Sequence, residues 1–229
     1  MSGMTLATII DALFVGTVEE RWPGKPPSAI GKRRTTERLE IGRTGFPRDA
    51  QADLEAHGGL EKAIHHYPAD HYAAWRAELG RDDLAPGGFG ENLSTLGLTE
   101  ETLCIGDVLS LGSATVQVSQ GRQPCWKLAA HKGEERMAYL FQKTGRTGWY
   151  YRVLEPGHVE PGDRIALVER RCPGWTVKRV TQARLSRRIR PADAAILADM
   201  PELYAGWREA FARMAGGQTD EDVSARLKG

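Results

Sequence analysis

One cysteine of this chain sits where its surroundings could make it reactive. Cys125 lies in the run Ser119-Gln120-Gly121-Arg122-Gln123-Pro124-Cys125-Trp126-Lys127-Leu128. A strand ends, a glycine turns the chain, and Pro124 stands where a helix can begin, because a proline's missing N–H costs nothing at the first helical position. That spacing predicts Cys125 in the first helical turn, with unpaired N–H groups and the positive end of the helix dipole facing its sulfur. Arg122 and Lys127 add fixed positive charge. All three influences favour thiolate over thiol, and a thiolate is both a nucleophile and a soft metal ligand. The competing reading is a thiol simply packed in a core. That reading suits Cys104, on an alternating apolar stretch, and Cys172, beside Pro173. His57, His65, His66 and His71 crowd one stretch, but their spacing lacks a zinc pattern and the cysteines are remote.

The elements that must hold Cys125 are short. Strands are expected at residues 13–19 and 39–41, and a helix at Asp49–His57 stopped by Gly58-Gly59. Asp70–Leu79 reads as a helix with Tyr72, Trp75 and Leu79 on one face and Gly80 at its end. Pro86-Gly87-Gly88-Phe89-Gly90 is a tight loop. Residues 103–118 read as short strands, with Thr115 to Ser119 alternating in period two. Residues 131–143 read as one helix and 148–154 as a strand. Gly106-Asp107 and Gly162-Asp163 each turn the chain into an apolar strand. Many short strands with glycine turns predict a mainly β fold with helices, a closed or nearly closed barrel. Beyond Cys172-Pro173-Gly174 the pattern becomes helical: Thr176 can cap one helix, a second follows Pro191, and Leu203, Trp207, Phe211 and Met214 form one stripe of a third. The expected organisation is a barrel domain over residues 1–172 and a helical bundle over 173–229.

Composition narrows the function classes. The chain has 229 residues, 41% hydrophobic and 27% charged, as a globular protein with a real core should. A net charge of +1 gives no overall case for nucleic acid or an anionic membrane. Arg187, Arg188 and Arg190 are basic, but they lie at a loop rather than along a recognition helix. Three cysteines with no CxxC pair exclude a disulfide framework, and a reduced, cytoplasmic protein is the simplest reading. The apolar stretch Leu6–Val15 lacks a basic start, is broken by Asp11 and is too short to span a bilayer.

Arg122-Gln123-Pro124-Cys125-Trp126-Lys127 fits the Arg-x-Pro-Cys-x-Lys signature of MOSC domains, named after the C-terminal part of molybdenum cofactor sulfurase. His57-Gly58-Gly59 with Lys62-Ala63 and His66-Tyr67-Pro68 resembles the family's first motif. Pro86-Gly87 through Phe89-Gly90-Glu91-Asn92-Leu93, then Gly97-Leu98, resembles its second. Ile105-Gly106-Asp107, Gly148-Trp149-Tyr150, Pro156-Gly157 and Gly162-Asp163 resemble later turns and closing strands. The likeness covers about residues 13–170, and the tail is similar to the three-helix extension of the YiiM-like branch. Two features depart from the pattern. Arg48 precedes Asp49 where relatives often carry glycine, and His65 is an additional histidine to which the resemblance gives no role.

The resemblance implies a pterin-based molybdenum cofactor with Cys125 as the protein's ligand to the metal. It also implies reduction of N-hydroxylated compounds such as hydroxylaminopurines to amines. Arg122, Lys127 and Lys32 would meet the cofactor's terminal phosphate, although Lys32 read alone is a solvated loop charge. Gly88 and Gly90 would let backbone approach the cofactor, and Asn92 would hydrogen-bond the pterin. Glu91, His57 and His66 are the candidates to protonate the leaving oxygen. Each also has a structural reading: Glu91 as a brace of the glycine loop, His57 as a helix C-terminal residue, His66 as a satisfied core histidine. No dinucleotide fingerprint and no cluster-binding cysteine set is present, which implies a separate electron-donating reductase. A homodimer is expected from the resemblance alone. The alternative to a reductase is a carrier of the cofactor or of sulfur, without turnover of its own.

Overall fold

The computed structural model describes residues 6–52, 58–223 and 226–227. Strand β1 (Ala7–Gly16) is the seam of a closed barrel. Its start pairs antiparallel with β10 (Arg164–Glu169), its middle with β5 (Leu93–Thr95) and its end with β2 (Lys32–Thr35). From β10 the ring continues through β6 (Val108–Leu111), β7 (Ala114–Gly121), β8 (Trp149–Glu155) and β4 (Ile64–Pro68) back to β5. Seven strands thus close on themselves, which removes the exposed edges an open sheet would leave. β2 is an extra strand beside β1, and β3 (Leu39–Ile41) pairs with β9 (Gly157–Val159) in a separate ribbon. β4 and β5 run parallel, joined over α1 (Asp70–Leu79).

The barrel is filled by Leu13, Ile64, Leu93, Leu109, Val116, Val118, Tyr151 and Ile165, all fully buried. Helices cover it outside. α4 (Val177–Ser186) lies against β7, and Gly121 makes the approach possible: a Cβ there would come within 1.9 Å of the Thr181 hydroxyl. α5 (Pro191–Ala198) and α6 (Ala205–Ala215) complete the tail. The predicted stripe of Leu203, Trp207, Phe211 and Met214 is buried and joins the barrel's apolar cluster. Thr176 caps α4 by accepting from the Arg179 N–H at 3.2 Å, as its residue type suggests. A second core of Tyr67, Tyr72, Trp75, Phe89 and Phe141 packs α1 against the glycine loop. Phe89 stacks on Tyr72 at 4.9 Å between ring centroids, which anchors that loop.

Three local expectations need correction. The helix read over residues 131–143 is two, α2 (Trp126–Lys132) and α3 (Met137–Thr144). Gly133 at φ 63° ends α2 by donating its N–H to the Ala129 carbonyl, the left-handed cap that glycine adopts freely. The first strand starts at Ala7 rather than residue 13, because β10 recruits Ala7–Ile9. In the helix expected at 49–57, residues 49–52 are not helical and 53–57 lie outside the described residues. Asp49 spends its side chain on tertiary partners instead of capping. Arg48 does not adopt positive φ, so the missing glycine costs no backbone strain there.

Candidate functional site

Cys125 lies one position earlier than the proline suggested. It is the N-cap residue of α2, at φ −128° and ψ 171°, and Pro124 precedes the helix. Its side chain makes no capping hydrogen bond, and the thiol borders a pocket. The pocket holds about 80 Å³ and is partly open to solvent. Lys32 from β2, His65 from β4, Gly90 and Asn92 from the glycine loop, Arg122 after β7 and Tyr150 from β8 meet there. Lys127 joins them from α2.

Arg122 and Lys127 are each only 7% exposed. The Arg122 guanidinium donates to the Phe89 carbonyl at 2.5 Å, tying the cysteine segment to the glycine loop. Lys127 Nζ donates to the Pro27 carbonyl at 3.4 Å and lies 6.0 Å from the Trp126 ring centroid. Gly90 at φ 77° packs against Ile30, where a Cβ would come within 2.8 Å of Cγ1. Its freedom therefore serves packing of the pocket wall.

Lys32 is a strand residue buried beside Asp49, not a solvated loop charge. Its ammonium donates to both Asp49 oxygens at 2.5 Å. Burial pulls its pKa down, and Asp49 opposes that pull. Asp49 also accepts from the Gly16 N–H at 2.7 Å and from Asn92 Nδ2 at 2.8 Å. Asn92 spends its other bonds on the His65 N–H and the Phe14 carbonyl, so it braces the wall. Asp49→Ala would leave a buried ammonium without its counter-charge, and removal of one partner of a buried pair costs about 3–5 kcal/mol. A urea-unfolding measurement at neutral pH should show that loss; a loss below about 1 kcal/mol would mean the pair is hydrated.

The two adjacent histidines of β4 point to opposite faces, as successive strand residues must. His65 borders the Cys125 pocket. His66 is fully buried in the barrel, bonded through Nδ1 to the Tyr151 hydroxyl at 3.0 Å and through Nε2 to Thr95 Oγ1 at 2.9 Å. His66, a candidate proton donor in the sequence, is therefore the satisfied core histidine. Burial pulls its pKa down to about 3. The folded state prefers the neutral ring, so this contribution to stability is full above the ordinary pKa near 6.5 and is lost as pH falls toward 3. Each pH unit in that window costs up to about 1.4 kcal/mol. Denaturant midpoints at pH 7 and pH 5 should separate less in His66→Gln than in the wild type. Equal separations would place the pH sensitivity elsewhere.

Glu91 is also displaced from its expected role. Its carboxylate is fully buried and accepts from the Tyr72 hydroxyl at 2.5 Å, the Gly87 N–H at 2.6 Å and the Phe89 N–H at 3.0 Å. It does not line the pocket and serves as the brace of the glycine loop. His57 lies outside the described residues. Asp49, His65 and Tyr150 are among the pocket groups to which sequence reasoning gave no site role. Strand parity over residues 64–68 and 149–155 was the available signal for the last two. Burial, with Arg122 nearby, holds His65 well below the usual imidazole value. Burial pushes the Tyr150 hydroxyl's pKa up, Arg122 opposes this and Cys125 adds to it, so Tyr150 stands within electrostatic reach of the thiol.

A wider groove of about 1100 Å³ runs along α3, α4 and α5, lined among others by Tyr139, Lys143, Arg179 and Arg188. It contains no cysteine or histidine and so none of the reactive groups. Among the described residues, no helix is long and apolar enough to cross a membrane.

The closed barrel thus presents one thiol beside Arg122, Lys127 and the Lys32–Asp49 pair in a single pocket. The chain belongs to the MOSC domain family, whose match spans residues 53–166. It is 42% identical over 193 residues to the uncharacterized protein YflK of Bacillus subtilis, covering 82% of this chain and 84% of that protein. It is 39% identical over 169 residues to a protein of Gibberella moniliformis named "Reductase", covering 72% of this chain and 30% of that one. The crystal structure of YiiM from Geobacillus stearothermophilus superimposes with a TM-score of 0.78 at 33% identity, covering 91% of this chain and 99% of that one.

Proposed function

We propose that this chain binds a molybdenum cofactor through Cys125 and reduces N-hydroxylated compounds to amines. The observation that carries the reading is the meeting of one thiol with Lys32, Arg122 and Lys127 in a single pocket. The donor set fits the group. Cys125 offers a sulfur ligand, and the three cations suit a terminal phosphate. When bound, the cofactor supplies a centre that changes oxidation state by two electrons and takes up oxygen, which amino-acid side chains cannot do.

The chain's own residues do the rest. Lys32, held by Asp49, and Arg122, held by the Phe89 carbonyl, are fixed in place before any ligand arrives. Fixed donors need no reorganisation to receive an anion. The overall change consumes two electrons and two protons, converting R–NHOH to R–NH2 and water. Of the proton carriers the sequence suggested, neither Glu91 nor His66 lines the pocket. His65 and Tyr150 are the proton-bearing aromatic groups that do. Electrons would come from a separate reductase.

The test is to purify the chain from a host that makes the cofactor. Bound molybdenum and released pterin are then measured, along with reduction of 6-hydroxylaminopurine by reduced methyl viologen. The expected result is metal, pterin and turnover together. Metal and pterin without turnover would support the carrier reading, and absence of both would overturn the assignment.

A further inference from the structure

We infer that the long groove along α3, α4 and α5 is the docking surface for the protein that supplies electrons, and that it receives an acidic face of that protein. The inference rests on the function proposed above.

The groove gathers charge that the rest of the chain lacks. Lys143, Lys178, Arg179, Arg188 and Arg190 line it against a single carboxylate, Asp193. The whole chain carries a net charge of only +1, so this face is more positive than the remainder. Part of that charge is already used. Asp193 accepts from Arg190 at 2.9 Å and lies 3.5 Å from Arg179, and Lys178 pairs with Glu101. Lys143 and Arg188 are exposed and have no carboxylate partner among the described residues. The backbone bends to display this rim. Arg187 ends α4 at φ 57°, the one non-glycine residue with positive φ among the described residues. An L side chain holds that conformation at a cost, and the turn it makes leads into Arg188 and Arg190 at the groove.

The kind of partner follows from how the cations are held. Arg122 and Lys127 at the Cys125 pocket are buried, which suits a small anion held in place. The free cations of the groove stand on exposed, flexible side chains around an open trough of about 1100 Å³. Charges placed in this way steer an encounter and set its on-rate more than its affinity. Electron-transfer partners meet through such small, transient contacts. Tyr139, 62% exposed, adds an aromatic contact on the same surface. Nucleic acid fits less well. Arg188 and Arg190 lie at a turn rather than along one helix face, and the Arg179 guanidinium covers Trp175 at 4.0 Å, where a base would stack.

Position completes the case. Met137 and Phe141 of α3 share one apolar cluster with Leu128 of α2, whose N-cap is Cys125. Gln142 of α3 lines the groove and accepts from the Arg226 guanidinium at 3.2 Å, and the same guanidinium donates to the Pro124 carbonyl. A protein seated in the groove is thus joined by two hydrogen bonds to the residue before Cys125. Each R–NHOH converted to R–NH2 and water takes two electrons from the docked donor, which is oxidised, and two protons from solvent.

The experiment uses the cofactor-loaded chain, 6-hydroxylaminopurine and two electron donors. One is reduced flavodoxin, a small acidic protein; the other is reduced methyl viologen, a small cation that needs no docking surface. Lys143→Glu and Arg188→Glu are compared with the wild type and with Arg38→Glu, the same charge change at an exposed residue outside the groove. Each groove reversal should lower kcat/KM for flavodoxin about tenfold at low ionic strength, through KM rather than kcat. The loss should shrink at about 0.5 M salt, where charges are screened within a few ångströms. Turnover with methyl viologen should stay within about twofold of the wild type in all three variants. Should a reversal destabilise the chain, Lys143→Gln and Arg188→Gln make the same comparison, with losses of about threefold. Flavodoxin kinetics unchanged by the groove reversals, or equally impaired by Arg38→Glu, would overturn the docking surface. So would a wild type that turns over with methyl viologen but not with flavodoxin. A single-stranded oligonucleotide that displaces flavodoxin from the wild type and fails to bind either reversal would overturn it in favour of nucleic acid. Absence of turnover with methyl viologen itself would instead sink the proposed reaction, and the electron-delivering role of the groove with it.

Discussion

Cys125→Ser is expected to strip molybdenum from the cofactor-loaded chain and to lower turnover by more than about 100-fold, because even a residue that only supports a metal ligand costs 10–100-fold. Serine has nearly the same shape, so the N-cap position of α2 and the packing around it are preserved. What changes is the donor atom. A hydroxyl is harder and far less acidic than a thiol, and it does not replace a soft sulfur ligand at neutral pH. Melting temperature should therefore stay within a few degrees while bound metal disappears. Elemental analysis and thermal unfolding on the same preparation separate the two effects. A serine variant that keeps full metal and turnover would return Cys125 to the status of a packed thiol.

Glu91→Ala should behave in the opposite way, losing stability first. The substitution leaves the Gly87 and Phe89 N–H groups and the Tyr72 hydroxyl without their acceptor inside a dry core. Each orphaned donor costs about 1–3 kcal/mol, so a total of at least about 3 kcal/mol is expected. For a chain of this length that corresponds to a melting temperature lower by about 10 °C or more. The consequence reaches the pocket indirectly, since the Phe89 carbonyl of the same loop holds Arg122. The pH dependence has a definite sign. Burial pushes the Glu91 carboxyl's pKa up, with its hydrogen bonds opposing. A raised carboxyl contributes stability that is present below its unfolded pKa and lost as pH rises through its folded one. Denaturation of Glu91→Gln across that range should show a shallower loss than the wild type. A Glu91→Ala variant with wild-type stability and no turnover would restore Glu91 to a chemical role.

Much of the scaffold is written in short-range patterns. The helix Asp70–Leu79 with its Gly80 end, the Thr176 cap and the Leu203–Met214 stripe all follow from residue types a few positions apart. The barrel follows from strand length and glycine turns, and its closure by β1 pairing with β10 agrees with the expectation. Residues 131–143 misled because Gly133 ends α2 inside an otherwise helical run.

The cluster Arg122-Pro124-Cys125-Lys127 was legible for the same reason: covalent proximity keeps these side chains together whatever surrounds them. Its partners were not. Asp49 reaches Lys32 across 17 residues and Asn92 across 43, and only the folded path of β1, β2 and the glycine loop brings the three together. His65 and His66 differ by one position, yet strand parity sends one to the pocket and the other to the barrel core. Glu91 has the residue type of an acid catalyst and the location of a brace, because Tyr72 and two backbone N–H groups converge on it from separate segments. The sequence by itself determined which reactive groups this protein owns and the local elements that carry them. The tertiary structure decided which of those groups share a pocket, since register and burial depend on residues far apart in the chain.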